Sequence, residues 1–280
     1  MRRVDVQKVT DGIKKLCIET NLYLGRDVVD ALSKAQSQES SPLGKSIIQD
    51  LLKNAEIAKK EQIPICQDTG MAVVFVDIGQ EVQLIGGNIT EAIYEGVRQG
   101  YRDGYLRKSV VGDPLNRKNT QDNTPAVIYY NIVPGDRIQI KFAPKGFGSE
   151  NMSQIKMLKP SDGRKGVEDF VVQVVAEAGA NPCPPVVVGV GIGGTMDKAA
   201  VLAKKALLRP IGTHHVQEHL KDLEQTLLKK INQLGIGPQG LGGNITALAV
   251  HVEAFATHIA GLPVAVNINC HAARHGEIII

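Results

Sequence analysis

Short, β-branched apolar runs alternate along this chain with stretches whose apolar residues recur every three or four positions. That alternation restricts the fold to sheet layers covered by helices. Helical spacing comes first: Val6, Val9, Ile13 and Leu16, then Leu43, Ile47, Leu51, Ala55 and Ala58 behind Ser41-Pro42, a cap followed by a first-turn proline. Cys17 falls on the first of these helices. Residues 71–78, rich in Val, read as a buried strand, and Asn88 with Glu91 opens a helix carrying Ile89, Ile93, Val97 and Tyr101 on one face. Two strand-like runs, 126–133 and 137–142, flank Pro134-Gly135-Asp136, the spacing of a hairpin. Further on, 167–178 forms a helix closed by Gly179, 196–208 and 216–234 are helical, and 186–190, 247–253 and 263–269 are strands. These elements predict the α/β (mixed α+β) class, with a mixed sheet and flanking helices. With no repeat and no low-complexity linker, they predict a single domain over 1–280 whose residues 1–62 form a helical N-terminal part.

Composition narrows the partners. The chain has 280 residues, 43% of them apolar and 22% charged, which suits a globular protein with a real core. Thirty-two basic and 29 acidic residues leave a formal charge of +3. No Lys/Arg block accompanies it, and five Phe, six Tyr and no Trp provide few stacking platforms, so nucleic acid is excluded as the expected partner. The charged start, Met1-Arg2-Arg3-Val4-Asp5, is not followed by an unbroken apolar stretch. Neither a signal peptide nor a membrane anchor is expected, and the predicted location is the cytoplasm. Four scattered cysteines are too few for a secreted disulfide scaffold.

Three of those cysteines share a setting. Ile65-Cys66-Gln67-Asp68-Thr69-Gly70, Asn181-Pro182-Cys183-Pro184-Pro185 and Asn269-Cys270-His271 each lie where an apolar run meets a turn. A buried packing cysteine has no need of flanking Pro, Gly and Asp, whereas a ligand must project from a backbone that has left its ladder. Three thiolates from distant loops suit a metal or an iron–sulfur cluster better than local zinc, whose sites use paired short spacings absent here. Plain burial remains the alternative for each, and Cys17 fits it. Gly189-Val190-Gly191-Ile192-Gly193-Gly194 formally matches the dinucleotide fingerprint, yet Leu207-Leu208-Arg209-Pro210 leads into another helix, not a second strand ending in an acid. A tight turn or an anion-binding helix start are the readings left. Among the histidines near Cys270, His251, His271 and His275 read as strand-face or surface groups, and Arg274 lies among them. His258, in the turn-like Thr257-His258-Ile259-Ala260-Gly261-Leu262-Pro263, is the one assigned to a substrate.

Together, Cys66-Gln67-Asp68-Thr69-Gly70, residues 145–151, residues 181–194, Gly237-Pro238-Gln239-Gly240-Leu241-Gly242-Gly243 and residues 263–275 resemble the N-terminal catalytic part of class I (iron–sulfur) fumarases. They look like the separate alpha subunit of the two-subunit form. The resemblance runs from about residue 10 to the end, and the superfamily includes tartrate dehydratase. Leu106-Arg107-Lys108-Ser109-Val110, Asp113-Pro114-Leu115 and Gly148-Ser149-Glu150-Asn151 are more similar to the fumarase branch.

What the resemblance implies is a 4Fe-4S cluster on Cys66, Cys183 and Cys270 with one iron left open, and no ligand role for Cys17. It implies a proton-transfer role for Asp68 and a hydrogen bond to substrate from Gln67. It further implies a carboxylate partner in Arg107, substrate contacts from the backbone at Gly146 and Gly148, and a substrate-contacting, catalytic side chain in His258. An Asx-turn is the alternative role for Asp68. Single-chain members continue into a C-terminal domain that this chain lacks, so the resemblance also implies a beta subunit, with α2β2 assembly expected, acting on a small dicarboxylate. The implied activity is reversible hydration of fumarate to L-malate. The rivals are tartrate dehydration, an iron–sulfur redox or sensing module with four protein ligands, and a cofactor-free scaffold.

Overall fold

Helix α1 (Gln7–Leu22) buries Val9, Ile13, Leu16 and Cys17 along one side, in the spacing legible from the sequence. It packs on α4 (Ile89–Asp103), whose N-cap Asn88 accepts hydrogen bonds from the amides of Thr90 and Glu91. The computed structural model describes residues 1–280 and contains two compact units, both discontinuous in sequence. The first comprises Met1–Gly25, Ala55–Phe147 and Arg274–Ile280, the second Arg26–Asn54 and Gly148–Ala273. The N-terminal helices are therefore shared out: α1 belongs to the first unit and α2 (Arg26–Gln38) to the second, while α3 (Pro42–Glu61) passes from one to the other.

In the first unit, β1 (Arg2–Asp5) pairs in parallel with β3 (Val82–Ile85). A four-stranded sheet runs in the order β10 (Gly276–Ile279), β5 (Ile138–Lys145), β2 (Met71–Gly79), β4 (Val127–Val133). The expected hairpin of 126–133 with 137–142 is not formed. β2 lies between those strands, parallel to β4 and antiparallel to β5. The physical reason is that residues 72–76 of β2 are all buried, and a strand this apolar takes a partner on each edge. The turn that separates β4 from β5 instead caps the end of β2, accepting from the Gly79, Gln80 and Glu81 amides at Arg137, Val133 and Gly135.

In the second unit the sheet order is β6 (Gln154–Leu158), β9 (Leu262–Asn269), β7 (Val186–Gly193), β8 (Ala247–Phe255), with β7 and β8 parallel and β9 antiparallel to its neighbours. Val186, Val188 and Val190 join a core with Val171 and Val174 of α6 (Gly163–Ala178) and Leu227 and Ile231 of α8 (Glu218–Asn232). The alternate residues Gly189 and Gly191 meet α7 (Met196–Ala206) so closely that an added Cβ would strike the carbonyls of Ala203 and Ala199. Those two glycines of the nucleotide-like motif thus permit close helix-on-strand packing. The α/β class with mixed sheets stands, and no helix is long and apolar enough to cross a membrane.

Glu39, buried just after α2, accepts from the amides of Ser41, Asn244 and Ile245 and ties the helix end to 243–245. Burial alone would raise its carboxyl, but those amides, with that of Ser40, outweigh it and hold the group below the ordinary range. A folded-state value below the unfolded one stabilises above the unfolded value, near 4.3, and is lost as pH falls through the folded value. Glu39→Gln is expected to cost about 2–3 kcal/mol at pH 7. In thermal melts the gap to the parent protein narrows as the buffer drops below about pH 4.

Candidate active site

Between α3 and β2 the chain leaves regular structure at Cys66-Gln67-Asp68-Thr69-Gly70, and side chains take over its backbone hydrogen bonding. The Ile65 amide donates to Asn21 O (2.9 Å). The buried Tyr101 hydroxyl reaches Thr69 O (2.7 Å) and Gly70 O (2.9 Å), and Asn123 Nδ2 donates to Gly70 O (3.2 Å). Thr69 Oγ1 donates to Arg107 O (3.0 Å), and Arg274 Nη2 to Asp68 O (2.8 Å). Burial pushes the Tyr101 hydroxyl far above its usual range, which keeps it a donor.

Asp68 does form the Asx-turn, Oδ1 accepting from the Gly70 amide (3.0 Å), but its other oxygen accepts from the Phe147 amide (2.8 Å). The carboxylate is thereby aimed, with lone pairs to spare on each oxygen. A Cβ at Gly146 would lie 3.3 Å from Asp68 Oδ2 and 3.6 Å from Arg274 Nη2, so glycine keeps the space beside the carboxylate open. Cys66 is partly exposed, its thiol 3.4 Å from Gln67 Oε1. Gln67 and Arg107 are exposed, and the Arg107 guanidinium forms no ion pair within the chain. The first unit therefore brings Cys66, Asp68 and Gly146 to one loop cluster and ties the Arg107 backbone to it.

In the second unit, Cys183 adopts φ +54°, a region β-substituted residues rarely enter. Its loop is stitched down on both sides. Cys183 O lies 3.0 Å from His271 Nδ1, and Gln239 donates to Pro184 O through both its amide N (2.7 Å) and its Nε2 (2.8 Å). Gln239 Nε2 is also 3.2 Å from His271 Nδ1. Cys183 thus neighbours the residue after Cys270, and Gly148 faces Asn181 O, 3.9 Å from where its Cβ would stand. The glycine-rich 237–243 segment supplies Gln239 to this junction.

His258 sits elsewhere. It follows β8, lines a cleft of ≈ 460 Å³ with Arg164, His219 and Leu262, and accepts from the Ala260 amide at Nδ1. Cys183 precedes β7, Cys270 follows β9, and Asn269 pairs with Val187, so both thiols stand at one end of the sheet. Gly193 pairs with Phe255 at the other end. The length of the eight-residue β7, about 25 Å, separates His258 from the two cysteines of its own unit.

Cys17 is fully buried against Gly100 of α4, and burial pushes its thiol well above the ordinary range. Cys66, Cys183 and Cys270 form no disulfide and reach solvent. Within neither unit do three His, Cys, Asp or Glu side chains gather around a single metal-ion position.

A family model described as fumarate hydratase (Fumerase) matches residues 10–279. The chain belongs to that family. Among its relatives is the "Putative L(+)-tartrate dehydratase subunit alpha" of Methanocaldococcus jannaschii, 46% identical over 273 residues and covering 95% of each chain. The L(+)-tartrate dehydratase alpha subunits of Escherichia coli K12 and Shigella sonnei are each 36% identical over 278 residues, covering 98% of this chain and 91% of theirs.

Asn21, Tyr101, Asn123 and Arg274, which hold the Cys66–Gly70 loop of the first unit, and Gln239, which holds the Cys183 loop of the second, were not singled out for those roles by sequence. The available signal was an amide side chain on a buried helix face: Asn21 lies four residues after Cys17 on the buried side of α1.

Proposed function

We propose that the chain is the alpha subunit of an iron–sulfur hydro-lyase that reversibly hydrates fumarate to L-malate in the cytoplasm, completed by a separate beta subunit in an α2β2 assembly. The observation that carries this is the doubly anchored Asp68 carboxylate two residues from a solvent-reaching thiol, in a chain of the fumarate hydratase family. The donor chemistry fits the implied group: three solvent-reaching thiols in loops, with the fourth sealed in packing. A 4Fe-4S cluster bound by Cys66, Cys183 and Cys270 supplies an iron without a protein ligand, a Lewis acid toward the substrate's hydroxyl and carboxylate.

The chain's own residues do the rest. In the dehydration direction Asp68 takes the proton from the carbon next to the hydroxyl-bearing one, and in hydration it returns it. The Arg107 guanidinium, unpaired within the chain, pairs a substrate carboxylate through its planar fork. Gln67 hydrogen-bonds the substrate, and the backbone at Gly146 and Gly148 lets the dicarboxylate approach closely. His258, held at the far end of its sheet from Cys183 and Cys270, serves the same substrate only from another chain.

Dehydration of L(+)-tartrate is the second reading, favoured by the names that the alpha-subunit relatives carry. The alpha and beta chains, produced together without oxygen, are expected to turn over fumarate with kcat/KM at least about 100-fold above that for L(+)-tartrate. The opposite order would move the chain to the tartrate branch. Inactivity on both at full iron content would remove the hydro-lyase assignment.

A further inference from the structure

We propose that Arg274 is a positioning residue that, with Asn21, braces the Cys66–Asp68 loop against α1; the role rests on the hydro-lyase assignment above. The brace is a closed ring of contacts. Asn21 is fully buried, its Nδ2 donates to Cys17 O (2.9 Å) within α1, and its backbone O accepts from the Ile65 amide (2.9 Å). Its Oδ1 accepts from Arg274 Nη1 (2.7 Å), while Arg274 Nη2 donates to Asp68 O (2.8 Å). One asparagine therefore holds the loop at Ile65 directly and at Asp68 through the guanidinium. Cys66 and Gln67 are the two residues between those anchors.

A mere tether would not need this residue. Arg274 is only 4% exposed, forms no ion pair, and leaves its buried Nε without a partner. A buried guanidinium held by two neutral oxygens is costly, and a neutral donor could make either bond. What a charge adds here is a field at the open space over Gly146, which Arg274 Nη2 and Asp68 Oδ2 both border. That is where the dianionic substrate approaches the proton-transferring carboxylate. The fixed fork geometry adds the rest, because a lysine head on a flexible stem cannot span both oxygens in one fixed arrangement.

The test compares Arg274→Lys with the parent chain in two preparations. In the iron-loaded enzyme assembled with its beta subunit, kcat on fumarate is expected to fall about 100-fold with KM changed less than about threefold. In the metal-free full-length chain, hydrogen exchange at the Ile65 and Gly70 amides is expected to quicken at least about tenfold, while the β8 amides are unchanged. Unchanged kcat and exchange would overturn the proposal. So would faster exchange everywhere, which marks general destabilisation. If Arg274→Lys does not fold, Asn21→Ala is the second variant. It should reproduce both effects, and Asn21→Asp, which keeps an acceptor for Arg274, should recover at least half of the lost kcat; no recovery overturns the brace. If the parent enzyme acts on neither fumarate nor tartrate, the hydro-lyase assignment fails. The exchange data then still decide whether the brace exists.

Discussion

Serine at position 66, 183 or 270 is expected to leave the anaerobically prepared chain with several-fold less iron and acid-labile sulfide than the parent. Serine at position 17 leaves both unchanged. The contrast follows from protonation and access. A cluster is held by thiolates, and a serine hydroxyl does not ionise near neutral pH. Cys66, Cys183 and Cys270 lie in loops and reach solvent, so a cluster has access to them. Cys17 lies under Gly100 inside the α1–α4 packing, where burial keeps the thiol protonated and no metal has a path to it. Iron analysis with visible absorption reads the result. An equal loss at Cys17 would mean a fourth protein ligand, and with it a redox or sensing centre with no open iron.

Asp68→Asn is expected to lower kcat for fumarate by about 10²–10⁴-fold at unchanged iron content, the usual weight of a proton-transfer group. The amide retains one acceptor for the Gly70 amide, but its NH2 group then opposes the Phe147 N–H, and neither oxygen nor nitrogen can take up a proton at neutral pH. Steady-state kinetics beside iron analysis separates chemistry from assembly. A loss below about tenfold would return Asp68 to the turn-forming role that its Oδ1 already performs.

Much of the helical content was legible because it obeys a local period: α1, α4, α6, α7 and α8 each bury the face their apolar residues mark. Pairing was not legible. β4 and β5 are joined by a turn of the right length for a hairpin, but the more apolar β2 takes the place between them, a competition decided by residues more than fifty positions upstream. The passage from one compact unit to the other falls inside α3, between Asn54 and Ala55, so no linker or change of composition could mark it. In the candidate site, the cysteines and Asp68 stood out because turn residues surround them. Asn21 and Arg274 did not, since they meet across 253 residues: Asn21 sits in no recognisable motif, and nothing in the 263–275 segment marks the partner of Arg274. The glycines at 189 and 191 show the opposite error a motif can invite: what matches a nucleotide fingerprint is the floor on which α7 rests.

The most direct measurement is hydration of fumarate, followed by its loss of ultraviolet absorbance, by the chain alone and with its beta subunit at equal iron content. In its first unit the chain supplies one aimed carboxylate, the exposed Arg107 guanidinium and the buried Arg274 beside that carboxylate, whereas a dicarboxylate needs charge at both ends and proton groups on both faces. Negligible turnover by the chain alone, rising at least about 100-fold when the partner is added, is the expected result. Full turnover by the chain alone, or an iron-loaded pair that hydrates nothing, would contradict it.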